Sequence, residues 1–367
     1  MLMMRKIVFI ASVLLFGKAN AQFPKVDIAG TEVRKITSSI VKDQEYELHI
    51  SLPNAYKNGT KNYPVVYVMD SQWDFPLVRS IYGQQYYDGF IPEMIIVGVT
   101  WSGPNANADI LRTRDYTPTK QVPYNLSGGA DNFLSFMKEE LFPFIEKNYR
   151  ADSLNRTLMG CSLGGLITLY ALFTHTEMFK GYIAASPAIG WDKEVIYQYE
   201  KKFYERSLLA KTTKGSLRMY MTIGDVERSA PGFEKFSKFL TDRNYEALWF
   251  RSKVLENTGH SGTKSETFTR GLQYVFEKPK LKLDKTILER YVGSYGTGAG
   301  KVDIKNENGK LSLYFPNGTL YELFASGEAD FYATSEFFNI HFRMNEAVVE
   351  GVEINRYSGS QFIKRTN

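Results

Sequence analysis

Two short runs, Tyr63-Pro64-Val65-Val66-Tyr67-Val68-Met69 and Met94-Ile95-Ile96-Val97-Gly98-Val99, are almost wholly apolar, and no other feature constrains the fold of this chain as tightly. A strand with one wet face alternates apolar and polar residues. A uniform apolar run reads instead as a strand covered on both faces, as in a mainly parallel sheet between helices. Further apolar runs follow at residues 181–185, 217–223 and 248–255. Helical patterns separate them. The clearest spans 132–149, where Phe133, Phe136, Met137, Leu141, Phe144 and Ile145 fall on one stripe. Others lie near 195–208, 232–240 and 267–276. Strands alternating with helices imply right-handed crossovers and an α/β fold. Residues 45–52 alternate strictly and read as a half-buried strand.

After Phe276 the pattern changes. Residues 277–282 form a polar, proline-interrupted linker, and beyond them the apolar period becomes two, as at Val302 and Ile304, Leu311 and Leu313, and Ile340 and Phe342. Asn308-Gly309 and Asn317-Gly318 are tight-turn dipeptides. We therefore expect an α/β domain over residues 22–277 and a linker with a small antiparallel β domain over 278–367.

Residues 1–21 read as a secretory signal peptide. Arg5 and Lys6 precede an apolar stretch from Ile7 to Phe16, and Ala19-Asn20-Ala21 fits a cleavage site after Ala21. About ten apolar residues are too few to span a bilayer, which needs roughly 20. The expected location is the periplasm or the exterior, with no stable membrane insertion once the leader is removed. Loss of Arg5, Lys6 and Lys18 lowers the formal charge from +5 to +2. No basic run carries interleaved aromatics, so a nucleic-acid partner is not expected. Cys161 is the single cysteine and the four histidines are scattered, which rules out an intrachain disulfide and gives no zinc spacing. Neither a metal nor another cofactor is expected.

Gly160-Cys161-Ser162-Leu163-Gly164 follows an apolar strand and precedes a stretch of good helix formers. The G-x-S-x-G pattern in this setting is a strand-to-helix elbow that lifts one serine out of the sheet in a strained backbone conformation. The amides that open the helix suit a developing oxyanion. A serine hydroxyl needs a base. His49 precedes the elbow, His175 lies near the end of the following helix, and His341 falls in the β domain; His260 remains, in a loop after a strand and before a helix. An acid that orients the imidazole is expected after an earlier strand, where Asp225 and Glu227 both qualify.

These features, with several others, resemble the esterase branch of the α/β hydrolases, which includes siderophore, feruloyl and acetyl-xylan esterases. The similar segments are Tyr63–Asp70 followed by Ser71-Gln72-Trp73; Ile91-Pro92-Glu93 before the second apolar run; Arg114-Asp115-Tyr116-Thr117-Pro118; and Ser186-Pro187-Ala188-Ile189-Gly190-Trp191. The resemblance covers roughly residues 30–277. It implies an α/β-hydrolase fold and a serine carboxylic-ester hydrolase with Ser162 as nucleophile and His260 as base, and it favours Glu227 over Asp225 as the acid. It implies an oxyanion loop near residues 71–73, with the Leu163 amide and an amide at Gln72 or Trp73 as donors. Trp73, Trp191 and Arg114 are candidate substrate contacts. Arg112 is a second cation that could meet an anionic group. The partner is a small-molecule or glycan ester. An acyltransferase on the same fold and a non-catalytic carbohydrate-binding protein are the rival readings.

Overall fold

The computed structural model describes residues 27–366 apart from 58, 105, 123, 210–215, 335–337 and 357–358. The expected leader, residues 1–21, lies outside the described residues.

The first sheet holds eight strands: β1 (Thr31–Thr37), β2 (Glu45–Ser51), β3 (Tyr63–Val68), β4 (Ile95–Ser102), β5 (Ala151–Cys161), β6 (Gly181–Ala185), β7 (Leu217–Gly224) and β8 (Leu248–Leu255). Their order is β1-β2-β4-β3-β5-β6-β7-β8, antiparallel at β1–β2 and β2–β4 and parallel from β4 onward. Uniform composition and double-sided burial go together: every residue of β6 and all but the last of β4 are buried. β2 buries Tyr46, Leu48 and Ile50 and leaves the residues between them partly open, as its alternation requires.

The helices of this part are α1 (Ser71–Tyr87), α2 (Ala108–Asp115), α3 (Ala130–Phe136), α4 (Phe142–Asn148), α5 (Leu163–Thr174), α6 (Trp191–Glu194), α7 (Ile196–Leu209), α8 (Ala230–Asp242) and α9 (Thr263–Val275). α3 and α4 are joined by a π-helical stretch, Met137–Leu141, so the long apolar stripe is one helix with its pitch loosened mid-way. Apolar side chains from both faces form two clusters. One lies around Tyr67, Phe133 and Leu169, and the other lies under α1 and α9 around Val66, Phe75 and Phe268. The arrangement is the α/β-hydrolase architecture.

The second sheet, β9 (Gly293–Tyr295) to β16 (Gly359–Lys364), is an antiparallel meander in sequence order. Between its ends lie β10 (Val302–Glu307), β11 (Lys310–Tyr314), β12 (Leu320–Ala325), β13 (Asp330–Tyr332), β14 (Phe338–Asn345) and β15 (Val348–Arg356). Asn308 and Gly309 take φ values of 56° and 81°, which join β10 to β11 through a two-residue turn. Helix α10 (Lys285–Tyr291) contributes Leu288 and Tyr291 to the core of this sheet. The preceding linker is tied to it, Lys278 Nζ donating to Asn339 Oδ1 at 2.6 Å and Leu281 N donating to Ala325 O at 2.8 Å.

Candidate active site

In a parallel sheet the turns at the carboxyl ends of the strands share one edge. Ser162 lies on the β5–α5 turn with φ 61° and ψ −115°, a left-handed value that a serine holds only under constraint from its surroundings. Its neighbours must be small. A Cβ on Gly160 would stand 2.6 Å from the Gly164 carbonyl group, and one on Gly165 would stand 2.9 Å from Pro187 Cα. The Leu163 and Gly164 amides open α5 and have no acceptor within the helix, which leaves them for an anion.

Glu227 follows β7 and His260 follows β8. His260 Nδ1 lies 2.7 Å from Glu227 Oε2; because a carboxylate only accepts, Nδ1 donates and Nε2 carries the lone pair. The second oxygen, Oε1, accepts from Ser186 Oγ at 2.7 Å and from the Gly224 amide at 2.9 Å. The carboxylate is 7% exposed and the imidazole 50%, so a buried anion holds a half-open ring. Burial raises the Glu227 carboxyl, but the hydrogen bonds from Ser186, His260 and Gly224 outweigh it and hold it below its ordinary value. Asp225 points elsewhere. Its oxygens accept from the Asn257 and Thr258 amides at 3.0 and 3.1 Å, which shapes the loop that carries His260.

The three turns are coupled. The Ser162 amide donates to Ala185 O, the Ala188 amide to Ser162 O, and the Ser186 amide to Thr222 O. Ser186 itself is buried, with φ 40°, and its hydroxyl also meets Thr263 Oγ1 at 2.9 Å. Among the described residues Ser162 Oγ makes no hydrogen bond. Catalytic hydrogen bonds commonly tighten only when substrate is present.

The model of the Esterase family ("Putative esterase") matches residues 38–261. The chain belongs to this family. Ferri-bacillibactin esterase BesA of Bacillus subtilis (strain 168) is 33% identical over 258 residues, covering 66% of this chain and 83% of that protein. Among solved structures, the BES protein from Bacillus cereus has a TM-score of 0.61 and 30% identity, over 69% of this chain and 97% of that one. An IroE-like serine hydrolase from Shewanella oneidensis has a TM-score of 0.57 and 27% identity, over 67% and 80%. The protein is a serine esterase. The second sheet lies beyond the family match.

Within this esterase some expected contacts move. Residues 71–73 are the first turn of α1, not a loop, because Asp70 turns the chain with φ 55° directly after β3. The Trp73 amide donates to Asp70 O at 3.0 Å and so is lost as an oxyanion donor. The amides of Ser71 and Gln72, at the first two helical positions, lack intrahelical acceptors. The Trp73 indole is 49% exposed, with the Arg112 guanidinium 5.7 Å from its ring centre. Arg114 is no anion receptor: its guanidinium is tied to Asp115 at 2.6 and 2.9 Å and to Gln44 Oε1 at 3.0 Å. Arg112 is likewise engaged, pairing with both oxygens of buried Asp70 at 2.9 and 2.8 Å and reaching Cys161 O at 3.4 Å. It clamps the β3–α1 turn to the β5–α5 turn, a role no local sequence signal announces. Lys264, early in α9, adds a strut to buried Asp74 of α1 at 2.6 Å. Trp191 is partly buried against Tyr124 and donates to Thr119 Oγ1 at 3.1 Å, and its amide reaches Ala188 O.

The remaining histidines have partners other than Ser162 and Glu227. His175 caps the far end of α5, about 18 Å along a helix of 12 residues. His49 meets Ser71 Oγ and Glu47, and His341 meets Asp330. Cys161 is buried beside the elbow, and burial pushes its thiol up to about 12, so it remains protonated. Among the described residues no group of three His, Cys, Asp or Glu side chains could hold a metal.

Proposed function

We propose that this esterase cleaves siderophore esters, with Ser162 as nucleophile, His260 as general base and acid, and Glu227 as the residue that fixes the imidazole. The observation that carries the reading is the 2.7 Å contact between His260 Nδ1 and a buried carboxylate, on the sheet edge where Ser162 is held in a strained turn. Ser162 Oγ attacks the carbonyl carbon and its proton passes to His260 Nε2. The carbonyl oxygen becomes an oxyanion against the Leu163 amide and an amide at the start of α1, with Gln72 the preferred second donor. The tetrahedral intermediate expels the alcohol, which takes the proton from His260. Water, deprotonated by the same nitrogen, then releases the acid and restores Ser162. Glu227 stays ionised throughout and stabilises the imidazolium.

The substrate class is supported by the similarity to the ferri-bacillibactin esterase and to a protein named siderophore triacetylfusarinine C esterase in Aspergillus fumigatus. The half-open imidazole and the exposed Trp73 ring fit a bulky substrate better than a small acetyl ester. We assign the enzyme to the periplasm or the exterior on its leader pattern, which N-terminal sequencing of the exported protein checks by starting at Gln22. The substrate test compares kcat/KM on ferri-bacillibactin, a feruloyl ester and an acetylated sugar. The siderophore ester is expected to lead by about 100-fold. Equal or higher values on either of the others contradict the substrate assignment. Acyl transfer to added alcohol in place of water makes the protein an acyltransferase.

A further inference from the structure

The second sheet rolls nearly closed. Its edges, β9 and β16, meet where Gly296 N donates to Lys364 O at 2.8 Å and Thr366 N donates to Ser294 O at 2.9 Å, with Tyr295 and Arg365 paired between them. Alternate residues of each strand therefore face a common interior. At one end that interior is full. Tyr291 of α10 stacks on Phe342 with ring centres 4.1 Å apart, and Phe331 packs edge-on at 5.5 Å. At the other end the alternation that buries Ile354 and Ile363 brings Arg356 and Gln361 inward instead of two more apolar residues. They border an open cavity of about 610 Å³ that also touches Phe315, Tyr321, Asn317 and Thr319.

The cavity has the parts of a small-molecule site: a floor of buried aliphatic side chains, flat aromatic walls and a few polar groups. Tyr321 stacks on Phe338 at 4.4 Å, nearly coplanar. The Arg356 guanidinium stands 5.0 Å from the Phe315 ring centre and 5.1 Å from that of Phe338. Among the described residues no carboxylate pairs with it. The planar N–H edge of a guanidinium matches a carboxylate through two parallel hydrogen bonds. We infer that the mouth of this C-terminal barrel binds a small hydroxylated aromatic carboxylate, the ring against Phe315 and Tyr321, the carboxylate on Arg356, and ring hydroxyls on the polar rim. The inference is independent of the catalytic assignment, since no residue of the mouth belongs to the Ser162 site.

Calorimetric titration of the full mature chain with salicylate tests it. Saturable binding with Kd below about 1 mM is expected. 2-Hydroxybenzyl alcohol, which keeps the ring and loses the charge, should bind at least about tenfold more weakly, as should salicylate to Arg356→Gln. Gln361 lies diagonally across the β15–β16 pair from Arg356, so Gln361→Glu supplies an internal carboxylate and should weaken salicylate to a similar extent. Both side chains are exposed, so neither change disturbs the core. Ser162→Ala should bind salicylate as the wild type does, which separates this site from the catalytic one. The inference is overturned if no saturation occurs below about 10 mM, well above the expected range. It is overturned equally if the alcohol binds as tightly as the acid, if both barrel variants bind as the wild type does, or if xylobiose binds and salicylate does not.

Discussion

Replacing Glu227 by glutamine changes one atom of the side chain and, on this structure, reverses the polarity of the base. Oε1 accepts from two donors, Ser186 Oγ and the Gly224 amide, whereas Oε2 accepts only from His260. The Gly224 N–H is fixed in the backbone and cannot turn away. A glutamine must therefore place its oxygen at the Oε1 position and its NH2 against His260 Nδ1. The imidazole answers by accepting at Nδ1, which moves its proton to Nε2 and removes the lone pair that the proposed attack by Ser162 needs. An imidazole held in the wrong tautomer costs about 10⁴ in kcat at a Ser-His-Asp site, which corresponds to about 5 kcal/mol of barrier. We predict a fall of about 10³–10⁴ in kcat for Glu227→Gln on p-nitrophenyl acetate, with KM changed less than about threefold. Glu227→Ala leaves the imidazole free to choose its tautomer and should retain more activity than Glu227→Gln, even though it removes more of the side chain. A thermal melt of each variant separates misfolding from miscatalysis. Activity of Glu227→Gln within tenfold of wild type, in a folded protein, refutes the reasoning.

Gly160→Ala places a methyl 2.6 Å from the Gly164 backbone and should lower stability by about 1–3 kcal/mol, read by chemical denaturation. Cys161, with its thiol held neutral by burial, should resist iodoacetamide at pH 7.5 in the native protein and react fully in urea; native labelling with loss of activity contradicts this. Burial raises the Glu140 carboxyl, but hydrogen bonds from Ser38 and Ser39 outweigh it, so it ionises below the ordinary glutamate value of 4.5. The unfolded chain then binds the proton more readily, so the stabilisation is complete above the ordinary value and is lost as pH falls through the folded one. The stability gap between wild type and Glu140→Gln should accordingly be widest above about pH 5 and shrink toward pH 3 in urea titrations; a gap that widens on acidification contradicts it.

The parts of the fold legible in the sequence were those governed by local pattern. β3, β4 and β6 are uniform because both faces are covered, and the Asn308-Gly309 turn follows from a backbone that few residues adopt. The Ser162 elbow is legible for the same reason, since strand, glycines and helix are contiguous. β1 was not legible, because Thr31–Thr37 lies at the sheet edge with most side chains outward and so lacks an apolar signature. The choice between Asp225 and Glu227 turns on the direction of two side chains two residues apart, which composition does not encode. Arg112 and Asp70, 42 positions apart, meet only because α2 returns across the ends of β3 and β5. Arg114 is drawn off by Asp115, its own neighbour, which a search for substrate-binding cations does not weigh. Long-range pairings of buried charges belong to the tertiary structure, and this site depends on several of them.

The central claim is that the strained turn exists to present one serine. Release of p-nitrophenol from a short-chain ester by the mature protein, measured beside Ser162→Ala and combined with peptide mapping of the acylated enzyme, tests it most directly. The account predicts an initial burst stoichiometric with enzyme, an acyl group on Ser162, and a loss of about 10⁴-fold or more in the variant. Equal rates in the two proteins, or acylation at any other residue, would contradict it.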